Sequence, residues 1–160
     1  MSSRLAALAV LAAVGVTPPG AQAIDVVTLV PASSVKVKPG ASAQIALRVV
    51  VKSGYHVQAN PVENPSLIPT TLSMDAAESV SVGKPVYPAG RRMRLPGDTQ
   101  DLVVYDGTFT IALPFRVAPS AVTGAVIILK GALRHQACDD SHCLFPVTLP
   151  VALTVTVGGG

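Results

Sequence analysis

No stretch of this 160-residue sequence holds the roughly 20 consecutive apolar residues that a membrane-spanning helix requires. The longest run, Leu5 to Val16, stops at 12 residues, just short of Pro18-Pro19-Gly20. Charge is scarce as well: Asp, Glu, Lys and Arg make up 13% of the chain, and 12 basic residues stand against 9 acidic ones. So small and scattered an excess argues against nucleic acid or an anionic membrane surface as a partner recognised by charge. Beyond residue 23 no long amphipathic helix can be read, and no internal repeat recurs. No Ser-His-acid or paired-carboxylate signature marks a hydrolase. Cysteine is nearly absent, Cys138 and Cys143 being the only two, so the chain has no cysteine near residue 23 to carry a lipid.

What is present begins with "MSSRLAALAVLAAVGVTPPGAQA". The basic Arg4, the short apolar core and the small-x-small Ala21-Gln22-Ala23 together read as a secretory signal peptide over residues 1–23. Its removal leaves one expected domain, residues 24–160, with 11 basic and 9 acidic residues. A chain of that length can enclose one hydrophobic core. Export places it in an oxidising compartment, the periplasm, or outside the cell where there is no outer membrane.

The clearest pattern is alternation with period two. Ala43, Ile45, Leu47, Val49 and Val51 form one apolar row. Phe109, Ile111, Leu113, Phe115 and Val117 form a second, and Val147, Leu149, Val151, Leu153 and Val155 a third. Each row is the buried face of a half-buried strand. Further strands are expected at Ile24–Val30, Val35–Lys38, Thr70–Met74, Val80–Val86 and Gly124–Leu133, separated by Pro and Gly turns. Short strands at this spacing predict an all-β chain, an antiparallel β-sandwich resembling the immunoglobulin architecture, with function on the loops at one end. The compact basic group Arg91, Arg92 and Arg94 lies among Pro and Gly and reads as a solvated loop face.

Both cysteines fall in "RHQACDDSHCLFP", residues 134–146. Strands leading in through Ala137 and out from Leu144 would place Cys138 and Cys143 opposite each other at the mouth of a hairpin, with Asp139-Asp140-Ser141-His142 as the turn. Facing Cα atoms there lie about 4.5–5.5 Å apart, so a disulfide fits. As a staple it would be weak. By the chain-entropy estimate a six-residue loop contributes about 2 kcal/mol, against about 4 for a bridge closing some 60 residues. A zinc or copper site using His135, Cys138, His142 and Cys143 fits poorly, because adjacent His142 and Cys143 would have to turn toward one ion. His56 reads as a surface histidine rather than a ligand or base.

"HQACDDSHCLFPVTLPV" resembles the redox motif of the DsbD amino-terminal domain family, in which Gln, a small residue and Cys precede a short acidic loop, a second Cys and a strand containing proline. "GYHVQANPVENPSLIPTTLSM", residues 54–74, and "VYPAGRRMRLPGDTQDLVVYDGTFTIALPF", residues 86–115, are similar to two further family segments in the same order. The resemblance implies an immunoglobulin-like periplasmic module that exchanges thiols and disulfides through Cys138 and Cys143, with no metal or organic cofactor. Cys143 would attack the partner disulfide and Cys138 would resolve the mixed intermediate.

The implied donor is a membrane thiol reductant acting through a thioredoxin-like domain. The implied acceptors are periplasmic thioredoxin-fold proteins, among them a disulfide isomerase, a cytochrome-maturation thioredoxin or an antioxidant protein. Full-length members continue into the membrane reductant, whereas this sequence ends at Gly160, so a separate membrane partner is expected.

Local charge bears on the same pair. Asp139 and Asp140 disfavour a nearby thiolate while Arg134 and a protonated His142 favour it, which suits a reducing donor. Two features depart from the family pattern: His135 stands at an aromatic position, and "LFPV" replaces a pair of prolines after the second cysteine. The family's cap loop corresponds to "LPGDTQDL", residues 95–102, which has no aromatic; Asp98 or Asp101 could supply its acidic element and Tyr105 its shield. The alternative function is a non-catalytic immunoglobulin-like binding module in which the disulfide shapes a loop.

Overall fold

A computed structural model describes residues 25–30, 34–97 and 99–159. The expected signal peptide, Ile24 and Asp98 lie outside the described residues. The described residues contain no helix and twelve strands: β1 (Val27–Val30), β2 (Val35–Val37), β3 (Ser42–Val51), β4 (His56–Gln58), β5 (Thr71–Met74), β6 (Val80–Val82), β7 (Arg91–Met93), β8 (Leu102–Tyr105), β9 (Thr108–Val117), β10 (Val126–His135), β11 (Ala137–Cys138) and β12 (Val147–Val157).

Two four-stranded sheets, ordered β1-β3-β9-β6 and β2-β12-β10-β5, form the immunoglobulin-like sandwich. Alternation does what it should in the long strands. Ile45, Leu47, Val49 and Val51 of β3 and Phe109, Ile111, Leu113, Phe115 and Val117 of β9 are buried in register. Leu129 and Leu133 of β10 and Val151, Leu153, Val155 and Val157 of β12 join the same core. Within these two sheets one pairing is not antiparallel: β2 runs parallel to β12, Val35 opposite Val155. Gly131 on β10 is required by close approach, since a Cβ there would fall within 2.6 Å of the Met74 sulfur on the neighbouring β5.

The third sheet, ordered β11-β4-β8-β7, sits at one end of the sandwich. β4 follows directly on β3, β8 precedes β9, and β11 follows β10, so all three grow from the same end of the body. Here the sequence expectations need correcting. The strand expected through Ala137 breaks at Gln136: His135 is the last residue paired with β12, and Ala137–Cys138 crosses to pair with β4. Cys138 therefore belongs to the small end sheet, while Cys143, in no strand, faces it through an isolated antiparallel bridge as the hairpin expectation requires. Arg91 and Arg92 lie in edge strand β7 and not in a loop, though they and Arg94 are solvated as expected. Their charges meet Asp106, Glu63 and Asp101 in exposed ion pairs, a kind that adds little stability.

Candidate functional site

Cys138 and Cys143 form a disulfide with Cα atoms 4.0 Å apart. This is closer than the expected spacing, and the flanking hydrogen bonds give the reason. Leu144 N–H donates to the Ala137 carbonyl and Asp139 N–H to that of His142. The two cysteines are thus a non-hydrogen-bonded pair, the closer of the two antiparallel pair types. The turn between them is shaped by Asp139, whose Oδ1 accepts hydrogen bonds from Ser141 N and His142 N, both at 2.7 Å. Those two bonds hold the Asp139 carboxyl below its usual range. Gln136 Nε2 ties the departing chain back through the Leu144 carbonyl at 2.9 Å.

The two sulfurs are not equivalent. Cys138 is 3% exposed, held in β11 against β4, whereas Cys143 lies in the exposed segment that runs from Asp140 to Thr148. Both line a cavity of about 360 Å³ together with His56, Gln58, Asn64, Leu67, Leu95, Thr99, Gln100, Leu102, Asp139, Ser141 and His142. Among the described residues no group of three or more His, Cys, Asp or Glu side chains is arranged to hold a metal ion.

The model of the family described as "Thiol:disulfide interchange protein DsbD, N-terminal" matches residues 25–154. The chain belongs to this family. None of the curated proteins matches it.

Among solved structures, the reduced N-terminal domain of Neisseria meningitidis DsbD is 19% identical, with 82% of this chain and 86% of that one covered and a TM-score of 0.47. The Neisseria meningitidis complex of the DsbD N-terminal and PilB N-terminal domains gives 18% identity, 85% coverage of each chain and a TM-score of 0.46. The N-terminal periplasmic domain of ScsB from Proteus mirabilis is 13% identical with a TM-score of 0.48. There 80% of this chain matches, but only 43% of the ScsB chain is covered.

In this DsbD N-terminal family member the residues singled out in the sequence separate into three groups. Asp139 and His142 line the sulfur cavity, and Asp140 lines an adjoining cavity of about 480 Å³ with His56, Arg91 and Asp106. His135, Asp101 and Tyr105 do not line the sulfur cavity. His135 is buried on the last residue of β10, where it borders a small space with Leu144, Phe145 and Leu149. Asp101 pairs with Arg94 at 2.8 Å. Tyr105 is a buried post: its hydroxyl accepts from Asn60 N at 3.2 Å and donates to the Pro88 carbonyl at 3.0 Å, and its ring stacks on Phe109 at 4.4 Å.

Of the described residues in 95–102, Leu95, Thr99, Gln100 and Leu102 line the cavity that the cysteines also line. Two of these four are aliphatic and two polar, and none is aromatic.

Sequence reasoning missed His56. Far from being a surface histidine, it is 3% exposed in β4, directly opposite Cys138. No local pattern could have found it, because β4 buries His56, Val57 and Gln58 in succession and so carries no alternation.

Proposed function

We propose that this chain is a periplasmic thiol–disulfide carrier that passes electrons from a membrane thiol reductant to oxidised thioredoxin-fold proteins through Cys138 and Cys143. The observation that carries the reading is the asymmetry of the bond. Cys143 is open to an incoming sulfur, while Cys138 is buried beside it, where it reacts with its neighbour and not with a protein partner.

In the reduced state the Cys143 thiolate attacks the partner disulfide and one partner sulfur leaves. Cys138 then attacks Cys143 Sγ, the second partner sulfur leaves, and two electrons have passed to the partner. Leu95, Thr99, Gln100 and Leu102 border the cavity that holds the cysteines and act as the cap, with Leu95 and Leu102 as its apolar face. The five-residue sequence separation also favours exchange over stapling, since so small a closed loop stabilises weakly.

The test is the reduction potential of the pair, read by equilibration with graded thiol buffers and counting of alkylated cysteines by mass. A value between about −180 and about −270 mV, the range of dithiol carriers, is expected. A bond still closed well below about −300 mV would mark a structural disulfide and overturn the reading.

A further inference from the structure

Cys138 has a neighbour on each side: His56 on β4 within its small sheet, and Cys143 across an isolated bridge. Residues directly opposite one another on antiparallel strands project to the same face. His56, Cys138 and Cys143 thus share a face, and all three line the same cavity. His56 is nearly completely buried, and its Nε2 has no hydrogen-bond partner. A buried polar nitrogen left unpaired is destabilising, and such an exception calls for an explanation, a redox or catalytic role being one. The closed disulfide offers His56 no proton and no donor. Reduction creates an S–H on Cys138, the residue directly opposite.

We infer that His56 is the proton acceptor and donor for Cys138, taking its proton when the disulfide closes and returning it when the disulfide opens. This rests on the thiol–disulfide reading given above. On closing, the imidazole takes the proton from Cys138 S–H, and the resulting thiolate attacks Cys143 Sγ in the mixed disulfide. The bond from Cys143 to the partner breaks, the partner sulfur leaves as a thiolate, and the imidazolium gives its proton to solvent through the cavity. On opening, a donor thiolate attacks Cys143 Sγ and forms a mixed disulfide, the Cys138–Cys143 bond breaks with Cys138 leaving as a thiolate, and His56 passes to it a proton taken up from solvent through the cavity. A buried thiol resists ionisation, so Cys138 needs such a partner more than exposed Cys143 does.

The charged groups around His56 suit this role. Burial pulls its pKa below the ordinary 6.5, so it is neutral and able to accept a proton. Asp140 and Asp139 of the cysteine loop and Asp106 of the β8–β9 turn oppose that shift, while Arg91 of β7 reinforces it. Arg91 is itself held by Asp106, which tempers its effect, and exposed His142 faces the same cavity. An imidazolium formed during the reaction would therefore find carboxylates on two sides.

The experiment mixes the chemically reduced protein with an aromatic disulfide whose thiolate is coloured, and follows release by stopped flow across pH. The first thiolate reports attack by Cys143, the second reports closure by Cys138. In His56→Phe and His56→Gln the first release should stay within about twofold of wild type, while the second slows by about a hundredfold at neutral pH. The acid-side inflection of the second release should disappear, and the variants should approach wild type as pH rises into the thiol range. A second release with wild-type rate and pH profile in both variants overturns the inference. So does an equal slowing of both releases with the inflection retained, which would mean that His56 only packs the sheet. Failure of the carrier reading is separable: it would appear in the reduction potential, while the two-step release still reports on His56.

Discussion

The body of the sandwich and the sheet at its end are built by different rules. In β3 and β9, ten residues each, buried apolar side chains alternate with exposed or partly exposed ones, and every inward position is filled by Ile, Leu, Val, Phe or Ala. In the end sheet the strands are two to four residues long, and β4 buries two polar side chains, His56 and Gln58, on either side of Val57. The body gains its stability from apolar area removed from water. The end sheet leaves His56 Nε2 and Gln58 Oε1 buried without partners, as does β10 with both ring nitrogens of His135 at its last residue, a cost that the apolar core must carry. On the carrier reading, stability and chemistry are housed in separate parts of one chain, and each is expected to break without the other.

The largest expected effect falls on the end sheet alone. Cys143→Ser should abolish disulfide exchange with protein partners, and Cys138→Ser should accumulate a mixed disulfide through Cys143, visible on non-reducing gels as a species that reductant removes. Both should leave the body folded, with only the small loop-closure contribution of about 2 kcal/mol lost. The converse change lies in the body: Leu113→Ala, fully buried in β9, should cost about 2–5 kcal/mol of unfolding free energy, read from urea denaturation. Its reduction potential should remain that of wild type. A shifted potential would show that the two regions are coupled.

Smaller effects lie at the seam. Tyr105→Phe removes the hydroxyl that bridges Asn60 and Pro88, and should cost about 1–2 kcal/mol by leaving the Asn60 N–H unpaired. Smallest is a pH effect carried by the buried histidines. Burial lowers the pKa of both His56 and His135 below 6.5, so below that value the unfolded chain binds more protons than the folded one. Stability contributed by keeping these rings neutral is fully present above about pH 6.5 and declines as pH falls toward their folded values. His135→Leu should flatten the loss of stability between about pH 7 and about pH 5, by less than about 1.4 kcal/mol per pH unit. An unchanged slope would mean that His135 stays as accessible to protons folded as unfolded.

Legibility in the sequence followed this same division. The apolar rows of β3, β9 and β12 were readable because a half-buried strand must alternate. So was the turn chemistry around Asp139, whose side chain caps its own loop. The strand expected over Val80–Val86 ends at Val82, and Val86 makes only an isolated bridge to Ala112 beyond Gly83. β7 was hidden because an exposed edge strand can be made of arginines as well as of apolar residues, and its neighbours Pro88, Gly90 and Pro96 resemble loop punctuation. The sequence offers Tyr105 as a shield for the sulfurs, whereas its hydroxyl meets Asn60 and Pro88 and its ring Phe109, because the direction of its side chain depends on how β8 sits against β4 and β9.

By itself the sequence determined the sandwich, the family and the two cysteines, all of which rest on local periodicity and on ordered motifs along the chain. Only the tertiary structure decided which cysteine is buried, that β11 leaves the β10–β12 hairpin, and that His56 meets Cys138 across 82 residues of sequence. The physical reason is that these facts depend on pairing between distant short strands. No side-chain period along the chain records with which strand a two-residue segment will pair.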